Sequence, residues 1–189
     1  MAHAGDLTVL FHAAGHSSPA ATSKEKEIYM GKLSHTLADR LEAGAKALAD
    51  FVASLSDAEW NTRLPKDGRT VGVVVHHVAS VYPIEIQLAQ TLASGQPVKG
   101  VTWAGIHEMN ARHAKENTGA DREATLDLLG LNSMAAAAVI RDLSDEQLQS
   151  GGSNSLYADA PLTCQFMLED HAVRHSYHHL ARIREALGR

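Results

Sequence analysis

Apolar residues recur at steps of three and four along most of the chain, the period that turns one face of an α-helix toward a core. Over residues 28–55 that face is Leu33, Leu37, Leu41, Leu48, Val52 and Leu55, with Lys32, Asp39, Glu42 and Lys46 largely off it. Ser56 followed by Glu59 has the form of a capping box opening one short turn around Trp60, after which Pro65, Asp67 and Gly68 break the chain. Thr70 is placed to cap a second helix through Val73, Val74, Val81, Ile84, Leu88 and Leu92, with Gly95 to end it and Pro83 to bend it. Residues 102–117 predict a third helix and residues 121–143 a fourth. The fourth offers Leu126, Leu129, Met134, Ala138 and Ile140 as apolar surface, and its alanines 135–138 permit close approach of a neighbour. Ser144 with Gln147 repeats the capping box, residues 149–160 read as a Gly- and Ser-containing loop, and Pro161 suits the first turn of a last helix ending near Leu187. Long helices on modest loops predict an all-α antiparallel bundle.

The last helix carries the most unusual pattern. His171, His175 and His179 recur every fourth residue, and His178 adjoins the last of them. Residues four apart share a helix face one turn apart, so His175 and His179 can aim two imidazoles at one point. The steps 168, 172, 175, 179, 183 put both on the stripe that also holds Leu168, Ala172 and Ile183. Bare imidazoles on a buried face lose their hydrogen bonds to water, and a shared cation restores a partner to each. In the second helix His77 falls on the stripe of Val73, Val81, Ile84 and Leu88, whereas its neighbour His76 falls with Gly72, Ser80, Pro83 and Gln87. His77, His175 and His179 are therefore the candidate metal ligands. Three imidazoles on one divalent ion leave an open position, the property that separates catalytic from structural zinc sites. Zinc, nickel, iron and manganese all accept such ligands. Glu85, Glu169 and Asp170 lie near in sequence and could orient a ligand or act as a base; solvated surface positions are the expectation for all three.

Composition narrows the setting. The chain has 189 residues, 44% apolar and 21% charged, enough for one domain with its own core. Seventeen Lys plus Arg against 22 Asp plus Glu give a net charge of -5 with no basic tract, which argues against a nucleic-acid partner. The single Cys164 excludes an intrachain disulfide and fits a reducing cytoplasm. Neither a signal peptide nor a long membrane-spanning apolar run stands out, so no membrane partner is expected. Residues 1–27 read as a poorly ordered extension, with His3, His12 and His16 solvated, and residues 28–189 as the bundle domain.

Other motifs fall away. His107 and Glu108 begin a zinc-protease HExxH, but Ala111 stands where the second histidine belongs. The Glu-x-x-His pairs of di-iron bundles are absent, as is a GxSxG nucleophile elbow. Ile106, Asn110, His113 and Asn117 share a polar line on the third helix that is either a pocket wall or a solvated face.

Three stretches, TVGVVVHHVASV from Thr70, HEMNARHAKENTGADREATLDLL from His107 and HAVRHSYHHLARI from His171, resemble the DinB/YfiT-like superfamily of metal-binding four-helix bundles. That superfamily includes mycothiol-dependent maleylpyruvate isomerases and bacillithiol transferases. The likeness covers most of the chain after about Gly31. It implies up-down-down-up connectivity, a homodimer, and a zinc- or nickel-like ion on His77, His175 and His179. His171 and His178 are additional to the pattern, and pairing of His171 with His175 stays open as another registration. The activity implied is that of a metal-dependent thiol S-transferase, isomerase or hydrolase acting on a small molecule, with a low-molecular-weight thiol as a second cofactor. The alternative is a non-catalytic, stress-associated metal-binding bundle.

Overall fold

The computed structural model describes residues 32–65 and 68–189. The expected extension over 1–27, the start of the first helix before Lys32, and Asp67 lie outside the described residues. Four long helices make the bundle: α1 (Lys32–Ala53), α3 (Val71–Ala93), α5 (Arg122–Arg141), and the last, α8 (Arg174–Leu187). The connections between them hold α2 (Asp57–Trp60), α4 (Trp103–Glu116), α6 (Asp145–Gln149), the strands β1 (Gly151–Asn154) and β2 (Ala160–Thr163), and α7 (Cys164–Met167).

Side-chain contacts fix the direction of each helix. Arg141, at the end of α5, meets Asp39 and Glu42 near the start of α1, while Arg122, at the start of α5, donates to the Leu55 carbonyl beyond the end of α1. Those two helices are antiparallel. Tyr82 bonds Ser176 and Glu85 bonds His175, so α3 climbs as α8 descends. Trp60 lies against Gly72 at the start of α3 and donates its Nε1–H to the Ala120 carbonyl just before α5, so α3 and α5 start at the same end. Arg40 pairs with Glu169, and Arg184 stacks on Phe51 near the end of α1, so α8 runs with α1. The order is up, down, down, up.

Local chemistry explains the breaks. The expected caps form: the hydroxyls of Ser56, Thr70 and Ser144 accept from the backbone of Glu59, Val73 and Gln147. Pro83 sits inside an unbroken α3. Its missing N–H would orphan the Ala79 carbonyl four residues back, and Asn132 of α5 donates to that carbonyl at 2.8 Å. At Gly72 the bundle needs the absence of a side chain, since a Cβ there would lie 2.6 Å from the Trp60 ring.

Three expectations are corrected. Residues 149–160 are not simply a loop: β1 pairs antiparallel with β2, Gly151 opposite Thr163. A Cβ at Gly151 would lie 2.3 Å from the Leu162 carbonyl oxygen, so the glycines read as loop residues serve close strand approach. Pro161 belongs to β2, and the terminal helical run starts at Cys164 under a Thr163 cap. In α5, Met134 is 59% exposed and Ala138 also faces outward; Leu129, Ser133, Ala136, Ala137 and Ile140 turn inward. Helices α3 and α5 are each long and apolar enough to cross a membrane by length and composition alone, but both pack in the bundle, and α3 carries buried His77 and Glu85.

Candidate metal centre

Among the described residues, the seam between α3 and α8 holds the buried imidazoles and the buried carboxylate that the rest of the core lacks. Thr70 sets the phase of α3, which places His77 inward at 6% exposure and Glu85, two turns on, at 6% as well. On the other side, α7, a π-helical segment (Leu168–Val173) and α8 follow one another without a break. The wider π turn shifts the register once, so His171 within it and the histidines after it do not stay in one row. His175 and His179 face His77, with ring centroids 5.1 Å and 5.5 Å from it and 4.9 Å from each other. One ring nitrogen from each of the three lies within 4.8 Å of the other two.

The alternative pairing of His171 with His175 is therefore not the one assembled. His171 bonds instead to the hydroxyl of Tyr157, at 2.8 Å, in the 3₁₀ turn between the strands. His178 lies at the cavity edge and is exposed, and His76 turns away from the cluster to meet His113 of α4, nitrogen to nitrogen at 2.9 Å.

Protonation follows from this packing. Burial, and then the neighbouring His175 and His77, hold the His179 imidazole well below the ordinary histidine range, so it is a neutral ring. Its Nδ1 is buried with no hydrogen-bond partner, and the residue is 5% exposed. His175 Nδ1 lies 2.5 Å from Glu85 Oε1. A carboxylate only accepts, so Nδ1 carries a proton and Nε2 is the nitrogen that this ring offers to a cation. This histidine–carboxylate arrangement is what orients and strengthens imidazole ligands at metal centres. A neutral ring with an unpartnered nitrogen, a second ring of fixed tautomer and a third close by fit a divalent cation.

The cluster lies at the foot of a cavity of about 530 Å³. Val81, Ile84 and Leu88 of α3 and Trp103, Ile106 and Met109 of α4 give it an apolar wall; Asp170, His171, Arg174 and His178 give it a polar one. α4 buries no residue fully, and its polar line is a pocket wall in part, since Ile106 and Asn110 face the cavity. The connection before α4 is tied to the hairpin, Val98 N–H donating to the Ser153 carbonyl and Val101 N–H to Ser155 Oγ.

Of the three acidic candidates, only Glu169 takes the expected surface place, paired with Arg40. Glu85 is buried on His175, and Asp170 accepts from Tyr157 Oη. Periodicity could have placed Glu85 eight residues after His77, on the same side of the helix. Tyr157 and Trp103 left no such trace, because only the hairpin brings Tyr157 onto His171 and only α4 brings Trp103 to the cavity.

No curated protein matches the chain. Among solved structures, YfiT from Bacillus subtilis, described as a probable metal-dependent hydrolase with an unusual four-helix bundle topology, is similar over 89% of each chain with a TM-score of 0.55 and 23% identity. That similarity is one of fold. The sequence profile of the DinB superfamily matches residues 40–183, most of the chain, and the protein belongs to that superfamily.

Proposed function

We propose that the protein is a metal-dependent enzyme of the hydrolase type that acts on a small molecule held in the cavity. The observation that carries this reading is the convergence of His77, His175 and His179 at the foot of an open, largely apolar pocket. A purely structural ion needs no such pocket, and three protein ligands leave a coordination position for a reactant. Zinc or nickel comes first for an all-imidazole set, with iron or manganese next.

When bound, such a cation supplies Lewis acidity, which acidifies water or a thiol and polarises a carbonyl or phosphoryl oxygen. The chain supplies the rest. Glu85 holds the His175 tautomer, burial keeps His179 neutral and able to ligate, and Val81, Trp103 and Ile106 give the cavity beside them an apolar wall. Cys164 is fully buried and its thiol is pushed up to about 11, so it offers no thiolate. Transfer or isomerisation of the thiol-dependent kind would need a low-molecular-weight thiol from solution. Water is the simpler nucleophile. YfiT's description as a probable metal-dependent hydrolase supports the same choice.

Elemental analysis of untagged protein, with His77→Ala and His175→Ala beside it, tests the reading. Near one equivalent of metal in the wild type and loss in both variants is expected, followed by metal-dependent turnover of chromogenic esters or amides. Failure to take up zinc, nickel, iron or manganese after reloading would remove its basis.

A further inference from the structure

His171 is a cavity-lining histidine that the candidate metal centre does not use. Its ring sits in a network built by two pieces of chain, the turn between the strands and the terminal helical run. Tyr157 Oη donates to Asp170 Oδ2, and a phenol has one hydrogen to give. The 2.8 Å contact between Tyr157 Oη and His171 Nε2 is then made with the hydrogen on the imidazole. Nε2 is the protonated nitrogen of His171, and Nδ1 is left as a free lone pair. Burial and the Asp170 carboxylate push the Tyr157 phenol up, so it keeps its proton; burial holds the His171 imidazole low, so the ring is neutral.

The backbone around the network is unusual on both sides. Ala158 and Asp159, directly after Tyr157, have φ of 54° and 60°, left-handed values that non-glycine residues rarely adopt. Asp170 and His171 sit within the π-helical segment, a form rare in proteins and frequent at functional sites. Asp170 is held further by Arg174, whose Nε donates to the Asp170 carbonyl at 3.0 Å and whose guanidinium lies 3.3 Å from Oδ1. The charged and titratable groups that act on His171 are Glu85 from α3, Asp170, Arg174 and His175 from its own helical run, and Tyr157 from the turn.

We propose that His171 is the general acid–base of the site, with Tyr157 and Asp170 as positioning residues that fix its Nε2–H tautomer. The proposal rests on the hydrolytic reading above. For an ester or amide substrate, water attacks the acyl carbon while one of its protons passes to His171 Nδ1. That proton then moves to the leaving oxygen or nitrogen as its bond to the acyl carbon breaks, and His171 returns to its neutral tautomer. No oxidant or further reactant is needed.

The test uses the full chain loaded with zinc, 4-nitrophenyl butyrate as probe, and the His171→Gln and Tyr157→Phe variants. His171→Gln is expected to keep its metal and the substrate KM while kcat falls about 100-fold or more, the size of a general base. Tyr157→Phe is expected to lose less and to turn the single Nε2–H tautomer of His171, read from long-range ¹H–¹⁵N correlations, into a mixture. The acid limb of the kcat profile should be absent in His171→Gln. Loss of metal in His171→Gln would make His171 a ligand, unchanged kcat would make the network structural, and an Nδ1–H tautomer in the wild type would point the wrong nitrogen at the substrate; each overturns the proposal. A wild-type protein that binds zinc and hydrolyses neither esters nor amides overturns the hydrolytic reading and this role with it, and failure to bind any metal removes the basis of both.

Discussion

The two seams of the bundle treat polar groups in opposite ways. Where α1 packs on α5, the buried surface is Leu37, Leu41, Leu48, Leu129 and Ile140, and the polar residues admitted there are the small hydroxyls Ser34, Thr125 and Ser133. Each hydroxyl donates to a backbone carbonyl, of Arg141, Asp121 and Gly130 respectively. Charges stay at the edge, where Arg141 meets Glu42 and Asp39. Where α3 packs on α8, the core accepts two imidazoles and a carboxylate, and it leaves His179 Nδ1 and Glu85 Oε2 buried without hydrogen-bond partners. A buried polar atom without a partner costs about 1–3 kcal/mol. One seam holds the fold together, and the other spends stability on a site.

The comparison breaks first if the apolar seam is expendable. Leu48 is fully buried, and Leu48→Ala removes its methyl groups and leaves a cavity. The expected loss is about 2–5 kcal/mol in urea unfolding. It should be the same in chelator-treated and metal-loaded protein, with metal stoichiometry unchanged. A loss that depended on metal would mean that the two seams are coupled.

The converse substitution sharpens the contrast. His179→Leu replaces a neutral ring carrying an orphaned nitrogen with an apolar side chain, and metal-free protein should gain about 1–3 kcal/mol from removal of that unsatisfied group. The same variant should bind no metal. A gain in stability paired with loss of the ligand is the signature of a residue kept for function. A large loss in the metal-free state would instead show that the imidazole packs as a core residue.

How much of this was legible in sequence depended on the range of the interaction. The period of three and four placed Leu37, Leu41 and Leu48 inside and singled out His77, His175 and His179, because a helix face is a local property. Caps at Ser56, Thr70 and Ser144 were legible for the same reason. The strand pair escaped because Gly151 and Gly152 signal flexibility locally and close approach only once β2 and the residues around Gln96 arrive. Met134 was misplaced because α5 selects its buried face by small residues, with Ala136 and Ala137 inside and a larger methionine out. Glu85 looked like a surface acid until α8 brought His175 within 2.5 Å of it. Tyr157 and His171 are 14 residues apart with β2 and α7 between them, and no period spans both.

Glu85 tests how the polar seam is organised. Glu85→Gln keeps the volume and an acceptor for His175 Nδ1–H but removes the negative charge. Metal affinity should fall about 10–100-fold, the usual effect of losing an outer carboxylate, which corresponds to about 1.4–2.7 kcal/mol. Titration with zinc against a competing chelator reads it directly. Unchanged affinity would reduce Glu85 to a space-filling residue, and the asymmetry between the seams would then rest on the histidines alone.

The smallest of these effects comes from pH, and its sign follows from burial. His179 has its folded-state pKa depressed, so near and below the ordinary histidine value of about 6.5 the unfolded chain takes up a proton that the folded chain refuses. Binding more protons when unfolded makes stability rise with pH. The metal-free protein should therefore be at full strength above that value and weaken as pH falls below it, by about 1.4 kcal/mol per pH unit for each such histidine. His179→Leu should lower that slope by one proton, whereas Leu48→Ala should shift the whole curve down and leave the slope as it was. Urea midpoints of chelator-treated protein at pH 7.5, 6.5 and 5.5 separate the two. Equal slopes in wild type and His179→Leu would mean that the acid sensitivity comes from histidines elsewhere, and that the seam between α3 and α8 is no more strained by its imidazoles than the seam between α1 and α5 is by its hydroxyls.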